Sequence, residues 1–396
     1  MRNPKPRIDE LPSVAGLMRR LFDPARPLGL RPEIAAWLLW IASFSVLVGL
    51  WLAGQVHSIS YGVYADAGQR WLHGEPLYDT SNIEGFQYLP QSAILVAPLS
   101  SLGSPAGDIL WRALGWALLA VGTLRFAGLL APLLRHQVFL VATCLSIGTA
   151  IGPLGNGQAN LLLAALTLHV GADVAEQRWW RAAAVAVLGF ALKPLMAVLL
   201  LLVWALYRPM WWRVPLALAV AAVAPWFFAD SGYVLAQYSD CLAKLALSSR
   251  PGPDYEDLRG LLGTIGLVVP HDVSTATRIV AAVGTLVICR AAQRRARGPY
   301  GVALIVALAA VYLVLFNPRT QSTTYAVPGS IVAVLAGLYA VERRRPALLA
   351  MVVVQIAFTL NYAYLPFIEL WLKPLTAVFL GAFLVREGTR SSPSTP

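Results

Sequence analysis

The fold class the sequence predicts is all-α, a polytopic bundle of transmembrane helices, and three observations predict it. Composition is the first: of 396 residues, 58% are hydrophobic and 13% charged, and the mean hydropathy is +0.63. A soluble domain is roughly half apolar and a quarter charged. The second is pattern, since apolar runs recur from Ala35 to Phe383 with only short polar breaks, each suited to a helix that satisfies its own backbone in lipid. The third is charge, because the basic residues gather in alternate breaks. A soluble enzyme is excluded. Cys144, Cys241 and Cys289 are odd in number and far apart, so they define neither a disulfide framework nor a metal site.

Residues 1–33 form a predicted cytoplasmic tail carrying seven Lys and Arg residues, too long and too Pro-interrupted for the start of a cleaved signal peptide. The first span runs from about Glu33 to Gly54. A long outer loop, 55–107, follows; its Pro-punctuated segment from Leu89 to Leu102 is too short to cross comfortably and reads as an interfacial helix. Further apolar runs at 109–130, 138–152, 159–175, 182–193, 195–207, 214–229, 273–289, 300–316, 326–341, 347–365 and 371–386 bring the expectation to about 12 crossings, within a range of 10–13. Lys193-Pro194 separates two short runs and marks either a full exit or the tip of a kinked hairpin. The second outer loop is 230–272, the transmembrane domain 34–387, and 388–396 a disordered cytoplasmic tail.

In this layout 22 of the 31 basic residues face the cytoplasm and nine face outward, the bias that sets orientation in a membrane. The expected location is therefore the cytoplasmic (inner) membrane, multi-pass, with both termini inside. The net charge of +11 is a topology signal, and with no RNP or zinc-finger pattern nucleic acid is not an expected partner.

Function, if it resides in loops, resides outside, where the loops are long. The first outer loop places Asp66 among Tyr61, Tyr64, Trp71 and His73, where a general base could meet a polar substrate at the membrane surface; Glu75, Asp79 and Glu84 are its rivals. Asp66 and Arg70 are also four apart, the spacing of a plain surface ion pair on a helix. Gly155-Asn156-Gly157-Gln158-Ala159-Asn160 lies at the outer end of two runs, and its amides suit either sugar or phosphate contacts or simple helix capping. Lys193 is an intramembrane charge, costly enough to imply a polar cavity or snorkelling to the headgroups. Arg319, in Asn317-Pro318-Arg319-Thr320-Gln321, is on the same side and reads as a second phosphate ligand or a solvated arginine. The mixed charges of the second outer loop, Lys244 among them, show no telling spacing. The five histidines form no HxxxH or HExxH pattern, and no Walker loop, GxGxxG or GxSxG is present, so neither a zinc site nor a nucleotide site is expected.

In this order the pieces resemble the integral-membrane glycosyltransferases of the GT-C class, and most nearly glycosyltransferase family 87, the polyprenyl-phosphate-mannose-dependent mannosyltransferases. That family's pattern has an acidic residue in the first outer loop, then a Gly-x-x-Tyr-Asp-like segment, Tyr-x-Pro, Pro-Leu, a Gly-Gln-x-Asn helix start and a Lys-Pro. Here these are Asp66, Gly74 to Asp79, Tyr88 to Pro90, Pro98-Leu99, Gly157 to Asn160 and Lys193-Pro194. The resemblance covers roughly 34–345 and implies a GT-C-like fold. Members often carry Ser-Pro followed by Trp and His in the late outer loop, whereas this chain has Arg319 and no His there; mannose is implied by the family and not by this segment.

The resemblance also implies a polyprenyl-phosphate-linked sugar as donor and a glycan or glycolipid as acceptor among membrane lipids. Asp66 is then the catalytic base of an inverting displacement, and Lys193 and Arg319 stabilise the departing phosphate. Gln158, Asn160, Arg70 and Tyr88 are further substrate-binding residues. Neither a metal nor another cofactor is expected. The competing class, a secondary transporter or flippase of a lipid-linked sugar, often shows a pair of repeats, and no matching halves are visible.

Overall fold

The structure, a computed structural model, describes residues 31–56, 60–248, 255–296, 298–360 and 366–389. The two predicted tails thus lie largely outside the described residues, as do Arg250 and Asp254 of the second outer loop. Among the described residues all regular structure is helical.

The apolar helices fall on the predicted runs, and further helices form within the two predicted outer loops. Helix α1 is Pro32–Leu52, α2 Ser60–His73, α3 Pro90–Ser100, α4 Ala106–Leu130, α5 Arg135–Asn156, α6 Asn160–Ala175, α7 Trp179–Leu192 and α8 Ala197–Leu206. Then come α9 Met210–Val223, α10 Ser231–Ser248, α11 Leu258–Thr264, α12 His271–Arg295, α13 Gly298–Phe316, α14 Ala326–Val341, α15 Arg345–Thr359 and α16 Pro366–Thr389. Seven helical segments among the described residues are long and apolar enough to cross a membrane: α1, α4, α5, α9, α12, α13 and α14, some extended by a 3-10 turn. Helices α6, α7, α8 and α15 are apolar but shorter. The segment read as an interfacial helix is helical as α3, with most of its length buried, and it packs along α2.

Burial sorts the helices. Helix α14 is apolar on every side and lies at the centre, buried along nearly its whole length, as an all-round apolar helix must. It packs on α5, where Gly329, Ala333 and Gly337 recur every fourth residue on one face. Such small residues let two helix backbones approach: a Cβ at Gly337 would stand 2.6 Å from the Val138 carbonyl oxygen, and one at Gly329 would stand 2.7 Å from Thr149 Oγ1. By contrast α12 is buried at only Ser274, Cys289 and Ala292, and its apolar residues Ile279, Val280, Val283 and Val287 are exposed as lipid-facing residues would be.

The bundle has two chemically different ends. At one, Trp180 and Trp212 meet edge to face with centroids 4.8 Å apart, and the Arg213 guanidinium lies 4.5 Å from the Trp212 ring centroid. Arg125, Asp173 and Glu176 form ion pairs at the same end. Aromatic and basic side chains together are the signature of a membrane–water interface. The opposite end gathers the loops predicted to be outer.

Candidate active site

Those loops enclose a cavity of about 700 Å³. Each wall is built by a local feature of the sequence. Gly157 closes α5 in the left-handed conformation at φ +65°, a C-terminal position that glycine takes without strain. From α4, the buried Arg112 guanidinium, paired with Asp108 at 2.8 Å, donates to the Leu154 carbonyl and at 2.7 Å to that of Gly155. The Trp111 indole donates to the Gly157 carbonyl at 2.9 Å. These donors satisfy the last carbonyls of α5 and place a cation at its negative end. The turn from Asn156 to Asn160 is thereby fixed.

Lys193 follows α7 with an extended backbone, as a residue before proline prefers, and Pro194 opens a 3-10 turn before α8. This break turns the lysine into the cavity. Its ammonium donates to Asn160 Oδ1 at 2.6 Å and lies 5.7 Å from the Tyr88 ring centroid. Asn160 is fully buried, and its amide donates at 3.0 Å to both Gln158 Oε1 and Thr323 Oγ1. Tyr88 accepts a 3.0 Å bond from the buried Tyr64 hydroxyl, whose proton is held well above the usual phenol range by burial. Arg319 donates from Nε to the Tyr255 hydroxyl at 2.8 Å, and its Nη1 is buried without a hydrogen-bond partner. Lys193, Arg319, Gln158 and Tyr88 line one cavity, and Asn160 supports them from behind its wall.

Asp66 and Arg70 are elsewhere. The buried face of α2 carries Tyr61, Tyr64, Gly68 and Trp71, spaced by a helical turn, and Asp66 and Arg70 lie on the opposite face. They pair with each other at 2.7 Å, with side chains 61% and 44% exposed, the geometry of an exposed ion pair of small energetic weight. Neither lines the cavity. Glu84 does, and among the described residues it is the cavity's only carboxylate.

Glu84 is held by a residue whose role its loop's mixed charges concealed. Lys244, on α10, is fully buried and donates to the carbonyls of Asp79, Asn82 and Glu84 at 2.6, 2.7 and 2.5 Å. Burial pushes its ammonium below the ordinary lysine range, against the pull of the Asp79 and Glu84 carboxylates. Gln237, two turns back on the same face, accepts from the Leu77 amide at 2.8 Å. The signal was present in the sequence: Val234, Gln237, Cys241 and Lys244 recur at helical spacing and form the buried face of α10, so two polar residues occupy positions that ask for a partner. Among the described residues no group of His, Cys, Asp or Glu side chains could hold a metal ion.

An all-helical bundle of apolar helices, closed over a polar, cation-lined cavity at one end, defines a polytopic membrane protein with a site for a polar or anionic substrate. The sequence model of glycosyltransferase family 87 matches residues 86–318, and the chain belongs to that family. It is thereby a membrane glycosyltransferase. The matched segment contains Tyr88, Gln158, Asn160 and Lys193, ends one residue before Arg319, and begins after Asp66, Arg70 and Glu84. No curated protein matches the chain.

Proposed function

We propose that the chain transfers a hexose from a polyprenyl-phosphate donor to a hydroxyl of a glycan or glycolipid on the outer face of the cytoplasmic membrane. One observation carries the reading: two cations, Lys193 and Arg319, and a single carboxylate, Glu84, line the same cavity. In a single inverting displacement the acceptor oxygen bonds to the anomeric carbon while the bond from that carbon to the phosphate oxygen breaks. The acceptor proton passes to Glu84, and the electron pair leaves with the polyprenyl phosphate. Lys193 and the unpartnered Nη1 of Arg319 neutralise that leaving group, a task for preorganised cations. Gln158, Asn160 and Tyr88 orient the sugar and the lysine. We assign the base to Glu84 in preference to Asp66 because Glu84 lines the cavity whereas Asp66 does not and pairs with Arg70 at 2.7 Å.

The test is sugar transfer by purified full-length protein in proteoliposomes supplied with polyprenyl-phosphate hexose. Glu84→Gln retains donor binding and loses about 100-fold to 10,000-fold in turnover, the usual worth of a general base, while Asp66→Asn transfers at close to the parent rate. The opposite pattern returns the base to Asp66. Movement of the intact sugar-lipid across the bilayer without transfer makes the protein a flippase.

A further inference from the structure

A second cavity, of about 50 Å³, abuts the first, and Phe316 lines both. Its polar lining comprises Asp257 and Arg259 from the second outer loop and Ser274, Thr277 and Arg278 from the first two turns of α12. Two guanidinium groups and two hydroxyls therefore converge on one small space. The single carboxylate balances at most one of them: Asp257 acts electrostatically on both Arg259 and Arg278 but accepts its 2.8 Å hydrogen bond from the Gly260 amide, so a net positive charge remains. Nη1 of Arg259 is buried without a hydrogen-bond partner. A buried donor in that state is costly unless a ligand satisfies it, and planar guanidinium pairs suit the oxygens of a phosphate.

What lies beside the cavity specifies the rest of the ligand. The turn between α11 and α12 exposes Ile265, Leu267 and Val268, with Val268 85% exposed. The apolar surface continues down the helix through Val273, Ile279, Val280 and Val283, all exposed. An anion site at the head of a lipid-facing apolar strip matches a molecule with a phosphate at one end and a hydrocarbon chain at the other.

We propose that this second cavity binds the phosphate of a bilayer phospholipid, with the acyl chains lying along α12. The site is separate from Lys193 and Arg319, and its occupancy does not depend on which residue acts as base in transfer. Detergent-solubilised full-length protein is titrated with dioleoyl phosphatidylglycerol, and bound lipid is measured by native mass spectrometry. The parent retains one phosphatidylglycerol at least tenfold more tightly than dioleoylglycerol, which has the same chains and no phosphate. The double variant Arg259→Gln with Arg278→Gln loses that preference, whereas Arg259→Lys with Arg278→Lys keeps part of it. Equal affinity of the parent for the two lipids overturns the proposal without any variant. Undiminished preference in a double variant that melts at the parent temperature overturns it also, and displacement of the lipid by an equal concentration of inorganic phosphate assigns the cavity to the free anion.

Discussion

Two acidic residues show how far a single position can be read. The face of α2 is legible, because Tyr61, Tyr64, Gly68 and Trp71 follow the helical period and leave Asp66 on the far side. Glu84 sits on a non-helical loop with no period to orient it, so only the folded chain assigns it to the cavity. Asp257 is different again. It caps α11 through the Gly260 amide, is only 4% exposed, and burial pushes its carboxyl up to about 6. An acid whose folded pKa exceeds its unfolded value stabilises the fold in its protonated form. That contribution is complete below about pH 4 and is lost as pH rises through about 6, at a cost of at most about 3 kcal/mol for two units. Thermal unfolding in detergent should thus show the parent losing stability from pH 4 to 7, while Asp257→Asn, which still accepts from the amide, loses less and melts higher at pH 7. Parallel pH profiles for the two proteins would dissociate Asp257 from the effect.

Among the elements, the apolar helices were the legible part, since hydropathy alone marks a stretch that must satisfy its backbone internally. The helix of the second outer loop, α10, was legible only in the spacing of its buried face, because what Lys244 and Gln237 contact is not visible until the loop they pin is in place. Their contacts are to backbone carbonyl and amide groups, which leave no complementary residue type in the sequence to find. Lys244→Met keeps the length of the side chain and leaves the carbonyls of Asp79, Asn82 and Glu84 without their donor. The expected result is a fall of about tenfold to a hundredfold in turnover with donor affinity unchanged, since a displaced base affects the transfer step, together with faster proteolysis between residues 79 and 84. Lys244→Arg should recover part of the rate. A loss of donor affinity equal to the loss of turnover would show that α10 serves binding instead.

For the whole molecule, the charge bias read from the sequence predicts that the aromatic and basic end faces the cytoplasm and the cavity end faces outward. With Cys144 replaced by Ala, Thr80→Cys should react with an impermeant thiol reagent in intact cells and Arg345→Cys should not; the reverse labelling would put the cavity on the cytoplasmic side. Where Lys193 lies along the membrane normal follows from the length of α7. Its 14 residues rise about 21 Å from the tryptophan end, whereas the hydrocarbon core is about 30 Å thick. The lysine therefore stops roughly 9 Å short of the far boundary, so the bilayer must thin around it or the cavity must open below its surface. Either way the height of the site is coupled to the length of the surrounding acyl chains, and a host membrane of longer-chain lipids would bury the transfer site more deeply than one of shorter chains.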